Sequence, residues 1–188
     1  YPRNKRWRKK LSLYRSKSYL FIRPGIIANE AVRQVMMAGE CDRNHVVGID
    51  MVCDEAENPP EKHKKAFHMA KILKLNKSCH VGEWVKNRKP EEKLTPEQLQ
   101  NNFKEDLPSL IKNIRTALFD LKAERIGHAV GLAYDQELLK YVKEHKIGVE
   151  GCPGSNKETG VIPNVECLQI REMLGAGILY SINPDDDL

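Results

Sequence analysis

Short apolar runs alternate with longer amphipathic segments along most of this 188-residue chain. The short runs predict strands at residues 19–22, 46–50, 78–80, 125–128, 147–151 and 178–182. The amphipathic segments predict helices at residues 30–38, 61–75, 107–121, 135–144 and 165–174. A polar connection at residues 86–102 contains Thr95 and Pro96, a pair typical of a helix start.

Strand–helix alternation at this spacing predicts parallel strands joined by helical crossovers. Both an open doubly wound sheet and a (β/α)8 TIM barrel have this pattern. The glycine-rich turn of doubly wound nucleotide-binding folds is absent, whereas polar residues follow nearly every strand, as at the catalytic rim of a barrel. These residues are Asp50, His80, His128, Asn156 and Asp185. We therefore expect an α/β barrel of the metal-dependent hydrolase type over residues 19–188, with about six of its eight strands present.

Composition indicates an ordinary soluble globular chain, with 40% hydrophobic and 30% charged residues. No apolar run approaches the roughly 18 residues of a membrane span, so no membrane partner is expected. The net charge of +5 is concentrated around Trp7, and residues 1–18 are expected to be a basic arm or linker. A basic patch beside an aromatic residue also suits nucleic acid, but no second basic stripe or nucleic-acid motif supports such a partner.

The five cysteines form no C-x-x-C pair, which favours a reducing compartment. We expect a cytoplasmic location and leave an extracellular one open. The H-x-E and P-C-x-x-C elements of the zinc deaminases that act on flipped bases are absent.

Three motifs carry candidate chemistry. His80 and Glu83 follow one strand, where an imidazole suits a divalent metal and a carboxyl group suits proton transfer. His128 ends the next strand, and the adjacent pair Asp185 and Asp186 follows the last. Taken singly, these motifs are equally consistent with a hydrogen-bonded core histidine or a solvated acidic turn.

Their joint occurrence at successive strand ends predicts a metal-assisted hydrolase. A bound zinc brings the pKa of its water to about 7, so hydroxide becomes available near neutral pH. Such a site suits the hydrolysis of a carbon that carries an amino leaving group. The residues do not define the substrate.

The chain resembles the adenosine deaminase family in five stretches that occur in the family's order. They are VGIDMVCDE at 47–55, HVGE at 80–83, RIGH at 125–128, CPGSN at 152–156 with TG at 159–160, and NPDD at 183–186. The resemblance implies zinc-dependent hydrolytic deamination of adenosine or deoxyadenosine to inosine or deoxyinosine, with release of ammonia.

The resemblance also implies a role for each candidate residue. His80 and Asp185 are expected to be zinc ligands, and Glu83 the proton donor to the purine ring. His128 is expected to orient the zinc-bound hydroxide. Asp186 is expected to contact the purine substrate.

Several departures from the family pattern stand out. The family's His-x-His pair, which supplies two zinc ligands, is absent, so we expect the N-terminal part of the barrel to be missing. Cys53 replaces a glycine whose N–H meets the substrate, Pro184 replaces Thr or Ser, and Asp187 replaces Pro. We expect the 188 residues alone to bind zinc weakly and to show no measurable deamination.

Three other functions remain open from the sequence. An AMP deaminase-like enzyme would use the same chemistry on a nucleotide. A non-catalytic remnant would bind a nucleoside or a protein partner. Nucleic-acid binding through the basic arm is the third. The sequence does not define the oligomeric state.

Overall fold

The computed structural model describes residues 18–22, 28–52, 54–86 and 94–185. Within these residues, six parallel strands form one sheet whose spatial order is the order of the chain. The elements are β1 (Ser18–Ile22), α1 (Ala28–Glu40), β2 (Val46–Met51), α2 (Lys64–Ile72), β3 (Asn76–Val81), α3 (Pro96–Phe119), β4 (Arg125–His128), α4 (Gln136–Glu144), β5 (Gly148–Gly151), α5 (Pro153–Glu158), α6 (Ile170–Gly175) and β6 (Leu179–Ile182). Short 3-10 helices occupy Pro60–His63, Leu132–Tyr134 and Val165–Leu168.

The sequential strand order decides between the two architectures predicted from the sequence. A doubly wound sheet reverses its strand order at a switch point, whereas every crossover here moves in the same direction. Crossovers of one hand and one direction place all the helices on one face of the sheet, as in the wall of a barrel. The described strands form an arc of a (β/α)8 barrel, which confirms the predicted fold class.

The two faces of the sheet differ in composition. On the helix side, Ile49, Cys79, Val81, Ile126 and Val149 join one buried cluster with apolar residues of the surrounding helices. Since side chains alternate along a strand, the intervening positions face the barrel interior. These interior positions include Gly48, Asp50, Ser78, His80 and Gly127. The apolar face thus stabilises the sheet, and the inner face is left for polar side chains.

Helix α3 is much longer than predicted. Its start at Thr95 and Pro96 is confirmed by a capping box, in which Gln98 N–H donates to Thr95 Oγ1 at 3.2 Å and Thr95 N–H donates to Gln98 Oε1 at 2.8 Å. The predicted start at residue 107 is wrong because the helix runs through Pro108. Pro108 lies on the exposed side, and the carbonyl that it leaves unpaired belongs to exposed Lys104, where water can bond to it.

Two further boundaries differ from the prediction. The helix predicted at residues 165–174 is divided at Gln169, whose φ of 49° interrupts the helix between Val165–Leu168 and α6. Helix α5 was not predicted, because Pro153, Gly154 and Ser155 have the composition of a turn. Pro153 occupies the first turn of α5, where its missing N–H costs no hydrogen bond.

Some of the predicted regions lie outside the described residues. They include the basic arm except Ser18, part of the polar connection, Cys53, Asp186 and Asp187. In the part of the chain that the structure describes, no helix has both the length and the apolar character needed to cross a membrane.

The carboxylate of Asp135 connects two of the outer helices. Its Oδ1 caps α4 by accepting the N–H groups of Glu137 and Leu138, both at 3.0 Å. Its Oδ2 accepts two bonds from Arg115 of α3, at 3.0 and 2.7 Å. Burial raises the pKa of Asp135, but the Leu138 N–H and the Arg115 guanidinium outweigh it, so the pKa lies below 3.8.

We predict that Asp135→Ala lowers the free energy of unfolding by about 1–3 kcal/mol, because both the cap and the ion pair are lost. Asp135→Asn keeps an acceptor for the cap and should cost roughly 1 kcal/mol or less. Chemical denaturation at neutral pH measures both changes.

The same carboxylate predicts a dependence of stability on pH. Because the pKa is lower in the folded state, the charge of Asp135 contributes fully above its unfolded value of 3.8 and is lost as the pH falls through the folded value. The stability difference between wild type and Asp135→Asn should therefore be constant near neutral pH and shrink below pH 3.8. A difference that grows on acidification would contradict this account.

Candidate active site

The candidate site lies where β3 and β4 end, beside the residues that follow β6. In the parallel register, His80 lies opposite Gly127 and Val81 lies opposite His128. The carboxyl ends of neighbouring parallel strands meet at one edge of the sheet, so the two histidines come together. Their ring centres are 5.2 Å apart, and the ring planes are inclined by 63°.

The absence of a side chain at Gly127 makes room for the His80 ring. A Cβ at position 127 would lie 2.9 Å from Cδ2 and 3.1 Å from Cγ of His80, closer than ordinary contact. On the other side, Nε2 of His80 lies 3.6 Å from Oδ2 of buried Asp50. Burial lowers the pKa of His80, but the contact with Asp50 and the charges of Asp50, Glu83 and Asp185 outweigh it and raise the pKa above 6.5.

His128 is fully enclosed and held in one orientation. Its Nδ1 lies 2.8 Å from Oδ1 of Asn156, a buried residue of α5. An amide oxygen only accepts hydrogen bonds, so Nδ1–H donates to it, and Nε2 is the ring nitrogen that remains for other contacts. The backbone of His128 has φ of 58°, a left-handed conformation that is uncommon outside glycine.

The free nitrogen of His128 faces two carboxylates. Its Nε2 lies 3.4 Å from Oε2 of Glu83 and 3.8 Å from Oδ2 of Asp185. Within the described residues this buried Nε2 has no hydrogen-bond partner. The side chains of Glu83 and Asp185 are 22% and 18% exposed, so both are reachable from the barrel interior. Asp185 also has a left-handed backbone, with φ of 76°.

These side chains fit a zinc ion. One donor atom from each of His80, His128 and Asp185 lies within 4.8 Å of the other two. Imidazole nitrogen and carboxylate oxygen are common zinc ligands, and catalytic zinc sites use about three protein ligands and an open position. Three carboxylates, Asp50, Glu83 and Asp185, surround the two imidazoles, and a divalent cation would balance their charge.

Glu55 joins the turn after β2 to the turn after β3. Its Oε1 accepts the N–H of Gly82 at 2.9 Å, and its Oε2 accepts those of Glu83 at 2.8 Å and Trp84 at 3.1 Å. Burial raises the pKa of Glu55, and these N–H groups, together with the Asn113 side chain, act in the opposite direction. One buried carboxylate therefore satisfies three consecutive backbone donors.

The structure brings together four of the five residues that the sequence singled out: His80, Glu83, His128 and Asp185. The fifth, Asp186, lies outside the described residues. The roles assigned to all five remain predictions.

From the sequence, Asp50 and Asn156 were recognisable only as polar residues near strand ends, and Glu55 and Gly127 had no predicted role. The acidic turn through Asp54 and Glu55 that follows a buried strand was an available signal for Glu55. Gly127 had no such signal, because its importance depends on the register between β3 and β4.

Comparison with known proteins is consistent with this geometry. The family model described as Adenosine deaminase matches residues 109–188, which include His128 and Asp185. An adenosine deaminase of Shewanella denitrificans is 43% identical over 144 residues, or 77% of this chain and 36% of the relative. The chain is therefore similar to the adenosine deaminase family over most of its length.

Another relative carries the name of a different deaminase. An adenine deaminase of Schizosaccharomyces pombe is 28% identical over 163 residues, or 87% of this chain and 38% of the relative. The chain spans 36 to 40% of the length of the curated relatives that it matches.

Two solved structures share the fold of this chain. An amidohydrolase from Burkholderia ambifaria with bound zinc superposes with a TM-score of 0.69 at 23% identity, over 90% of this chain and 41% of that one. An N6-methyl-AMP deaminase from Arabidopsis thaliana superposes with a TM-score of 0.64 at 24% identity, over 90% of this chain and 42% of that one. Both superpositions support the assignment of the six strands to an arc of a barrel.

We predict that Gly127→Ala weakens zinc binding by roughly tenfold or more, the scale typical of changes around metal ligands. The added methyl group would displace the His80 ring from the position that it shares with His128 and Asp185. Competition with a chromophoric zinc chelator measures the affinity.

Gly154→Ala is the matched control, since a Cβ there meets nothing within 4 Å. Its zinc affinity should equal that of wild type. Equal affinities for all three proteins would show that His80 does not depend on the space at Gly127.

Proposed function

We propose that the protein to which this chain belongs is a zinc-dependent hydrolase that deaminates adenosine or deoxyadenosine. The products are inosine or deoxyinosine and ammonia. The observation that carries the proposal is the convergence of Glu83 and Asp185 on the buried Nε2 of His128, next to His80. The names of the family and of its adenosine deaminase relatives support the choice of reaction.

His80 and Asp185 are the proposed zinc ligands supplied by this chain. A bound zinc ion supplies an activated water with a pKa near 7 and so provides hydroxide at neutral pH. The inward position of His80 and the closeness of Asp185 to His128 support this assignment. The same end of the sheet would then hold both the ion and the proton-transfer groups.

Glu83 is the proposed proton donor to a ring nitrogen of the purine. Protonation of that nitrogen makes the neighbouring carbon, which carries the amino group, more susceptible to attack by water. Glu83 lies at a strand end and is partly exposed, so its carboxyl group can reach a substrate inside the barrel. A positioned acid of this kind typically contributes about 100- to 10,000-fold to the rate.

His128 is the proposed base and orienting group. The bond from Nδ1–H to Asn156 fixes the tautomer, which leaves Nε2 able to accept a proton. Proton return from His128 towards the departing amino group would complete the release of ammonia. Asp186 is the proposed contact to the purine and rests on the resemblance alone.

Nucleotide or nucleobase deamination is the second candidate. The adenine deaminase relative and the N6-methyl-AMP deaminase structure support it, since both match the chain over a similar length. Initial rates on adenosine, deoxyadenosine, AMP and adenine separate these substrates. Adenosine and deoxyadenosine should be preferred under our proposal. The cytoplasmic location also remains a prediction.

The proposal is tested on the complete product of the gene and, in parallel, on the 188 residues alone. Metal analysis and the change in ultraviolet absorbance on deamination of adenosine give zinc content and rate. We expect one zinc per chain and turnover for the complete product, and weak zinc binding without measurable turnover for the 188 residues. A zinc-loaded complete product that deaminates none of the four substrates would refute the proposed function.

We predict that Glu83→Gln in the complete product lowers kcat by about 100- to 10,000-fold, because the amide cannot transfer the proton. Zinc content should be unchanged, since Glu83 is not one of the proposed ligands. His80→Ala is the contrasting variant and should lose zinc and activity together. Loss of zinc from Glu83→Gln would instead make Glu83 a metal ligand.

A further inference from the structure

The backbone that carries Glu83 is held from two sides. From one side, Glu55 accepts the N–H groups of Gly82, Glu83 and Trp84. From the other, the carbonyl of Gly82 accepts the N–H of Val130 at 3.0 Å. The turn after β3 is therefore fixed between the turn after β2 and the continuation of β4.

There is little room for this turn to relax. Gly82 has φ of 67°, and a Cβ at that position would lie 2.9 Å from the carbonyl oxygen of Val130. The carbonyl of Val81 also accepts the N–H of Ala129, at 2.9 Å. With these contacts on the β4 side, the direction of the next three N–H groups depends on the acceptor at Glu55.

That direction sets where Glu83 points. The N–H of Glu83 bonds to Glu55 at 2.8 Å, and its side chain reaches to 3.4 Å from Nε2 of His128. His128 is itself held by Asn156, so it does not follow a displaced Glu83. A small rotation of the turn would therefore separate the two groups.

We propose that Glu55 is a positioning residue that acts through Glu83. Its buried carboxylate orders the turn that aims Glu83 at His128 and at the substrate. This inference rests on the proposed function, since the reaction gives the position of Glu83 its importance. Glu55 itself touches neither His128 nor the proposed metal ligands through the bonds described above.

Glu55→Gln is the most direct variant because it preserves the volume of the side chain. An amide has one oxygen and one NH2 group, whereas the turn presents N–H groups to both carboxylate oxygens. One N–H would therefore face another donor. Asn113→Ala is a second variant, which removes a side-chain partner of Glu55 and leaves the carboxylate in place.

The test is a double-mutant cycle in the complete zinc-loaded protein, with kcat expressed per bound zinc. We expect Glu55→Gln to lower kcat by tenfold or more, with KM changed less than threefold. In a Glu83→Gln background the same substitution should change kcat by less than twofold, because there is no acid left to misplace. An equal fall in both backgrounds would show a general structural effect and overturn the proposal.

Amide hydrogen exchange provides a second test that does not depend on activity. Exchange at Gly82, Glu83 and Trp84 should rise at least tenfold in Glu55→Gln, while exchange in α4 stays as in wild type. Unchanged exchange at these three amides would overturn the proposal even if kcat fell. If wild type turns over none of the substrates, the proposed function fails, and hydrogen exchange alone decides whether Glu55 orders the turn.

Two further variants complete the design. Asp135→Asn also removes a carboxylate that accepts backbone N–H groups, but it lies on the outer helices, so kcat per zinc should match wild type. Asn113→Ala should reproduce the exchange and kcat changes at smaller size, at least twofold, and keeps the test decisive if Glu55→Gln does not fold. Wild-type exchange and kcat in a folded Asn113→Ala protein would count against the proposal.

Discussion

The close approach of β3 and β4 is the contact on which the candidate site depends. Parallel pairing places His80 opposite Gly127 and brings His128 to the same edge one residue later. Neighbouring strands lie about 4.8 Å apart, so the His80 ring can lie over position 127 only if no side chain is present there. Glycine at position 127 meets this condition, and the two rings come to 5.2 Å between centres.

The two faces of the sheet have separate roles, and burial on the apolar face offsets the free-energy cost of the polar site on the other. Apolar residues such as Ile49 and Ile126 pack against the helices and contribute roughly 1.5–3 kcal/mol each through burial. The inner face can then hold Asp50, Glu83 and Asp185 near one another, although like charges at short range repel. Stability and chemistry are therefore carried by opposite sides of the same strands.

The fold and most of the site followed from local patterns in the sequence. Alternating strands and helices predicted the barrel arc, because apolar periodicity reports which face of each element is buried. His80, Glu83, His128 and Asp185 were recognisable because each lies at or just after the end of a predicted strand. The continuous helix α3 could not be predicted in this way, since Pro108 resembles a helix breaker unless its solvent-facing position is known.

Features that depend on pairing between distant segments were also hidden. The space at Gly127 exists only in the register with His80, and the bonds of Glu55 join residues 27 to 29 positions apart. No window of sequence contains both partners. The short helix at Pro153 was hidden for a different reason, since Pro153, Gly154 and Ser155 have the composition of a turn.

The left-handed backbones of His128 and Asp185 have a consequence for how this protein can change over time. Such conformations cost of the order of 1–3 kcal/mol each when the residue is not glycine, and the surrounding packing must supply that energy. Substitutions that weaken the helix-facing layer would therefore also weaken the packing that holds these two turns of the candidate site. Sequence drift in the outer helices is thus limited by the candidate site on the other face of the strands, even where no outer residue contacts that site.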